Sequence, residues 1–77
     1  MLDKDKIDDM TLALLHLVTW THEIQGTKVF KGFDWETLAR LHKKGFIANP
    51  RTSQKSISIT PEGLERSTEL FNEFFED

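Results

Sequence analysis

Cysteine is absent from the 77-residue chain, and its apolar stretches are short. Without cysteine, neither a disulfide nor a thiolate metal site can supplement the small core of such a chain. A domain of this size buries only about 60–65% of its unfolded surface, so its stability is marginal. No apolar stretch approaches the roughly 20 residues of a membrane span, and the N-terminal sequence MLDKDKIDD is too charged for a signal peptide. We therefore expect one cytoplasmic, soluble domain spanning residues 1–77.

Charge is unevenly distributed along the chain, whose net charge is −3. Residues 1–27 carry −3 and residues 56–77 carry −5, whereas residues 28–55 carry seven cations against two acids, a net +5. The cations are Lys28, Lys31, Arg40, Lys43, Lys44, Arg51 and Lys55. They are candidate nucleic-acid-binding residues, because Lys and Arg contact phosphates whatever the base sequence. The alternative, which we favour, is a solvated surface in which the last helical cations complement the helix dipole.

The segment from Asp3 to about His22 has apolar residues at helical spacing. One side carries Ile7, Met10, Leu14, Leu17 and Val18, and the other carries Leu12, Ala13, Leu15 and Trp20. A helix that is apolar nearly all round is a buried helix. Because the rest of the chain offers little material to cover it, we expect a homodimer. Its interface residues are predicted to be Leu12, Leu15, Trp20, Leu70 and Phe74, the last two from the apolar side of a C-terminal helix.

The middle of the chain predicts a strand followed by a helix. Ile24 to Phe33 contains β-branched and aromatic residues between glycines, which favours a short strand over a helix. Asp34 to Lys44 predicts a helix, with Asp34 as its N-cap and Gly45 as the left-handed residue that ends it.

The last third of the chain predicts a hairpin followed by a helix. Phe46-Ile47 and Ser56–Ile59 are predicted to pair as two strands around a polar loop, and the second strand alternates apolar and polar residues. The sequence TPE at residues 60–62 predicts the start of a helix that runs to about Phe75. The expected fold is therefore α+β, in the order helix, short strand, helix, β-hairpin, helix.

A pattern in this half of the chain resembles part of the bacterial winged-helix repressors. It consists of Leu38-x-x-Leu41-x-x-x-Gly45-Phe46-Ile47 and then Ile59-Thr60-Pro61-Glu62-Gly63. In the multiple-antibiotic-resistance and phenolic-acid types, this pattern covers the end of the recognition helix, the hairpin called the wing, and the following helix. The resemblance implies a winged-helix-like fold and DNA binding. The chain departs from the family before Asp34, because ten residues typical of strand and turn stand where the repressors have a helix that braces the recognition helix.

The whole chain, from MLDKDKIDDMTLALLHL through KGFDWETLARLHKKGFI, also resembles a set of small bacterial proteins that are grouped only as a domain of unknown function. That resemblance implies no activity.

Nothing in the sequence favours catalysis, a cofactor or a metal site. His16 and His22 are six residues apart, off the spacing that places two ligands on one helix face. The serines of the hairpin have no neighbouring base, and no glycine-rich phosphate loop is present. Trp20, Trp35 and the phenylalanines could stack on single-stranded nucleic acid, but helical spacing favours the core, with Phe30 and Phe33 as the exceptions to test.

Two hypotheses follow from the sequence. The favoured one is a small, non-enzymatic, homodimeric interaction module with a winged-helix-like fold, for which another protein is a candidate partner. The alternative is a winged-helix DNA-binding protein of the transcription-regulator kind, which would use the basic surface of residues 28–55.

Overall fold

The structure, a computed structural model, describes residues 1–24 and 26–76. The described helices are α1 (Lys4–Leu15), α2 (Trp35–Lys43) and α3 (Pro61–Phe75). The described strands are β1 (Thr19–His22), β2 (Gly26–Phe30) and β3 (Ser56–Ser58), and a single 3-10 turn (His16–Val18) joins α1 to β1. The α+β class is confirmed, in the order helix, strand hairpin, helix, strand, helix.

The strands form one antiparallel sheet in the order β1-β2-β3. Its inner face carries Val29 and Ile57, which lie opposite each other and are buried against the helices. The alternate residues turn outward, so that Lys28 on β2 lies between Trp20 on β1 and Ser58 on β3. The sheet therefore has one face in the core and one face in solvent.

The N-terminal helix was predicted to extend to about His22, and this prediction is wrong. α1 stops at Leu15, and Thr19–His22 form β1 instead of a further helical turn. The Thr19 hydroxyl donates to the Leu15 carbonyl at 2.6 Å and so satisfies one of the carbonyls that the helix end leaves free. Pairing with β2 then fixes the threonines and Trp20 of this segment in the extended conformation that such residues prefer.

α2 begins and ends where the sequence predicts. The Asp34 carboxylate accepts hydrogen bonds from the backbone N–H of Thr37 at 3.1 Å and from its hydroxyl at 2.9 Å. At the other end, Gly45 has φ +84°, and the Phe46 N–H donates to the Leu41 carbonyl at 3.0 Å, as in a Schellman motif. The described residues between the 3-10 turn and α2 form no helix, which agrees with the expected loss of the bracing helix.

The predicted hairpin is reduced to a single bridge between Ile47 and Ile59, accompanied by a 2.9 Å hydrogen bond from the Ala48 N–H to the Ser58 carbonyl. β3 pairs along its length with β2 instead, because β2 offers a longer extended partner. The expected inward direction of the second-strand isoleucines is confirmed, since Ile57 and Ile59 are buried.

The core is formed within one chain. Leu12, Leu15 and Leu70 are 0%, 0% and 1% exposed, so they lie inside the chain and not on its surface. The expected shortage of covering material does not arise, because α3 packs along α1 and the Ser67 hydroxyl donates to the Leu12 carbonyl at 2.7 Å. The Cα radius of gyration of 11.9 Å is close to the value of about 11.5 Å expected for a compact chain of this length.

Candidate interaction surfaces

Two of the candidate nucleic-acid-binding cations make ion pairs within the chain. Arg40 Nε lies 2.8 Å from Oδ1 of Asp8, and Lys44 Nζ lies 2.9 Å from Oδ2 of the same carboxylate. Asp8 is completely buried on the side of α1 that faces α2, where an ionised carboxylate requires charged partners. Lys44 Nζ is also 3.0 Å from Oδ1 of Asp5. Two of the predicted phosphate contacts are thus ion-paired with α1.

The same network holds these α2 side chains in fixed positions. Arg40 also donates to the Thr37 hydroxyl oxygen at 3.1 Å, and that hydroxyl donates to the N-cap Asp34. The hydrogen bond to Asp8 raises the pKa of Lys44 above its ordinary value, although partial burial opposes this effect. The basic face of α2 therefore stabilises the contact between α1 and α2.

The remaining candidate cations are divided between internal contacts and open surface. The Lys31 ammonium donates to the Pro50 and Thr52 carbonyls and so fixes the loop that precedes β3. The Arg51 guanidinium lies 5.8 Å from the centre of the Trp35 ring. Three of the candidate lysines make neither an ion pair nor a side-chain hydrogen bond among the described residues, namely Lys28, Lys43 and Lys55.

A row of apolar side chains follows α1 on the side away from the core. We call this row the α1 stripe, and its members are Ile7, Met10, Leu14 and Leu17. Leu14 is 40% exposed and Leu17 is 66% exposed, while the other two are half-buried. A shallow groove runs along the same side, lined mainly by apolar atoms and closed at the N-terminal end by Leu2 and Lys6.

The predicted dimer-interface residues are scattered in the structure. Leu12, Leu15 and Leu70 belong to the core, whereas Trp20 is 45% exposed on β1 and Phe74 is 42% exposed at the end of α3. The four residues of the α1 stripe are recognisable in the sequence as apolar residues at helical spacing. The same pattern occurs on the opposite side, so the sequence does not show which side is buried. The small residue Ala13 is a signal that could have identified the buried side. It lies on the same side as Leu12 and Leu15, and its short side chain permits close helix packing.

Two of the three histidines, His16 and His42, have structural contacts. The His16 ring stacks on Phe71 with 4.6 Å between centroids, and His42 Nδ1 lies 3.0 Å from the Ile47 carbonyl oxygen. The side chain of His22 lies outside the described set. In that part of the chain which the structure describes, no three of His, Cys, Asp or Glu meet, and no helix has the length and apolar content to cross a bilayer.

Comparison with known proteins places the chain in a family. Residues 3–77 match the family described as a domain of unknown function, DUF6429. The chain is also 47% identical over 74 residues to "Uncharacterized protein y4hR" of Sinorhizobium fredii (strain NBRC 101917 / NGR234), which covers 96% of this chain and 95% of that protein. No solved structure matches. The chain therefore belongs to the DUF6429 family, and the expected resemblance to a domain of unknown function is confirmed.

Proposed function

We propose that the protein is a small, non-enzymatic, homodimeric interaction module whose subunits pair through the α1 stripe. The observation that carries this proposal is an apolar row that is half-buried at Ile7 and Met10 and exposed at Leu14 and Leu17. The opposite side of the same helix, with Leu12 and Leu15, is fully buried. Contiguous exposed apolar surface on a small domain marks a site of association.

The spacing of the stripe suits a pair of helices. Its four residues follow one another at intervals of three, four and three, which are the a and d positions of two heptads. Two copies of one such row are self-complementary, as a twofold-symmetric interface requires. The proposed contact is thus between α1 and the α1 of a second copy.

Charge favours an antiparallel arrangement of the two helices. The last turn of α1 contains no basic residue, so the negative end of its dipole has no cation from its own helix. Lys6 borders the apolar groove near the beginning of α1. In an antiparallel pair, the Lys6 ammonium of each subunit lies beside the carbonyl end of the other subunit's α1, whereas in a parallel pair the acidic first turns would face each other.

The size of the surface sets the expected affinity. α1 and its 3-10 turn cover a strip about 22 Å long and 10 Å wide, well below the roughly 800 Å² that each partner buries in a standard interface. Phe74 and Phe75, which are 42% and 45% exposed, form a second apolar cluster at the end of α3, where Phe75 contacts Phe71 and Phe71 contacts His16. We expect a dimer with a dissociation constant on the order of micromolar.

Sedimentation velocity across the micromolar range tests the proposal. We expect the wild-type chain to pass from monomer to dimer, and Leu14→Glu to remain monomeric while keeping the circular dichroism spectrum of the folded chain. Ala39→Glu adds the same charge at an exposed position of α2 and should dimerise like the wild type. A wild-type chain that stays monomeric, or a Leu14→Glu variant that still dimerises, would overturn the proposal.

The alternative, a winged-helix-like DNA-binding protein, has weaker support. Arg40 and Lys44 are engaged with Asp8, which leaves fewer cations free for phosphate. The hairpin expected to act as the wing contributes one bridge, and a strand hairpin occupies the position of the bracing helix. Duplex binding with a steep dependence on salt would favour this alternative.

A further inference from the structure

The outer face of the sheet carries two exposed aromatic rings on either side of a lysine. Trp20 and Phe30 are 45% and 43% exposed, and both turn away from the core, since Lys28 lies opposite Trp20 and two residues before Phe30. Burial of aromatic rings of this size would stabilise the folded chain, so their exposure is a loss of stability. Of the two exceptions expected from the sequence, Phe33 packs against the core and only Phe30 is open.

The register makes this face a flat platform. Trp20 and Phe30 are diagonal neighbours across β1 and β2, at a separation of about 7–8 Å. Beside them, β3 presents Ser58 opposite Lys28 and Ser56 opposite Phe30, and these short side chains leave the upper surfaces of the longer ones uncovered. We call Trp20, Lys28 and Phe30 the sheet platform.

The Phe30 ring lies against the backbone of Gly32. A Cβ atom on Gly32 would overlap the ring, so a larger residue at this position would shift the ring. A groove opens beside the ring, lined by Gly32, by the loop before β3 and by the exposed Lys55. The bonds from Lys31 to the loop carbonyls fix the far wall of this groove.

The charge of the face is positive. Among the described outward-facing residues of the three strands, Lys28 is the one charged side chain, and Lys55 stands where β3 begins. A partner that fits must offer planar apolar surfaces together with negative charge. Single-stranded nucleic acid has this chemistry, because every base has a face that stacks on an aromatic ring and each link carries a phosphate. A duplex has its base faces already stacked inside, so it cannot use the rings.

We propose that the sheet platform binds single-stranded nucleic acid, with Trp20 and Phe30 stacking on bases and with Lys28 and Lys55 contacting phosphates. Binding is tolerant of base sequence, since it uses base faces and not base edges. The platform shares no residue with the α1 stripe, so this proposal does not depend on the dimer.

Fluorescence anisotropy with a labelled oligothymidylate of about a dozen nucleotides tests the proposal on the full chain. We expect saturable binding that weakens between about 50 and 200 mM salt and is stronger than binding to a duplex of equal length. Trp20→Ala and Phe30→Ala should each weaken binding about fivefold or more. Trp35→Ala removes an equally exposed ring that is not on the sheet, and Lys43→Gln removes an exposed lysine of α2; both should leave the affinity within about twofold.

A second readout remains informative if Trp20→Ala fails to fold. The chain has two tryptophans, so Trp35→Phe leaves Trp20 as the only indole, and its fluorescence should be quenched by the oligonucleotide. Absence of binding at high micromolar protein, or binding with no quenching of Trp20, would overturn the proposal. Equal affinity for the duplex would also overturn it, because it would show a surface that contacts phosphate alone.

Discussion

The two sides of α1 are similar in apolar content and opposite in environment. Leu12 is 0% exposed, whereas Leu14, two residues later, is 40% exposed. Asp8 is also 0% exposed, whereas Asp9 is half-buried and makes no ion pair among the described residues. Residue type therefore does not decide which side enters the core. The side with a helix partner, α3, and with two cations to match its acid is the side that is buried.

The largest expected effect is produced by Leu12→Glu. The carboxylate would be buried without a cation or a hydrogen-bond donor, a change that costs more than about 4–5 kcal/mol. Since a domain of this length has a total stability of about 4–12 kcal/mol, we expect the variant to be largely unfolded in circular dichroism and urea titration. Leu14→Glu is the matched variant. Its free energy of unfolding should change by no more than about 1 kcal/mol, because the Leu14 side chain already contacts water. Equal loss in both variants would contradict the assignment of the two sides.

A smaller loss is expected from Asp8→Asn. The change removes the negative charge shared by Arg40 and Lys44, whose side chains are 25% and 35% exposed and can turn partly toward water. We expect a loss of about 1–3 kcal/mol in urea titration at neutral pH. Asp9→Asn makes the same chemical change one position away and should alter stability by no more than about 0.5 kcal/mol. If Asp8→Asn proved as stable as the wild type, the ion network would contribute nothing.

The raised pKa of Lys44 predicts a loss of stability in alkali. Because the folded value lies above the ordinary value of 10.5, this stabilisation is complete below that pH and is lost as pH rises through the folded value. We expect the melting temperature to fall less steeply above that pH in Lys44→Arg, because arginine keeps its charge. The melting temperature of Lys43→Arg should fall as steeply as that of the wild type, since the exposed Lys43 has no acidic partner among the described residues. Identical profiles for the two variants would contradict the role of Asp8.

Local signals allowed most helix ends to be predicted from the sequence. Asp34, Gly45 and Thr60 act within a few residues of their own position, and each ends or begins a helix as expected. The end of α1 was not predictable in this way, because residues 19–22 become extended only by pairing with β2. For the same reason the pairing of β3 with β2 was not predicted, since pairing between distant segments leaves no local pattern.

The candidate surfaces were less predictable than the fold. Arg40 was an apparent phosphate contact, but its partner Asp8 is 32 residues away, and no local spacing connects them. The apolar residues of α1 were predicted together with Leu17, Val18 and Trp20, which lie beyond the end of the helix. The division of the helical residues between core and surface depended on where α3 packs. Burial of one side of a helix is decided by its tertiary partner, which the sequence of that helix alone does not contain.

The smallest expected effect concerns the hydrogen bond that ties α3 to the buried side of α1. Ser67→Ala removes the hydroxyl that donates to the Leu12 carbonyl, and this carbonyl lies inside a helix and can still accept from its own helix. We expect a loss of about 0.5–1.5 kcal/mol in urea titration. Thr68→Ser retains a hydroxyl that bonds only within α3, to the Leu64 carbonyl, and should change stability by less than about 0.5 kcal/mol. If the Ser67 variant were no less stable than the Thr68 variant, packing of the leucines alone would suffice to hold α3 against α1.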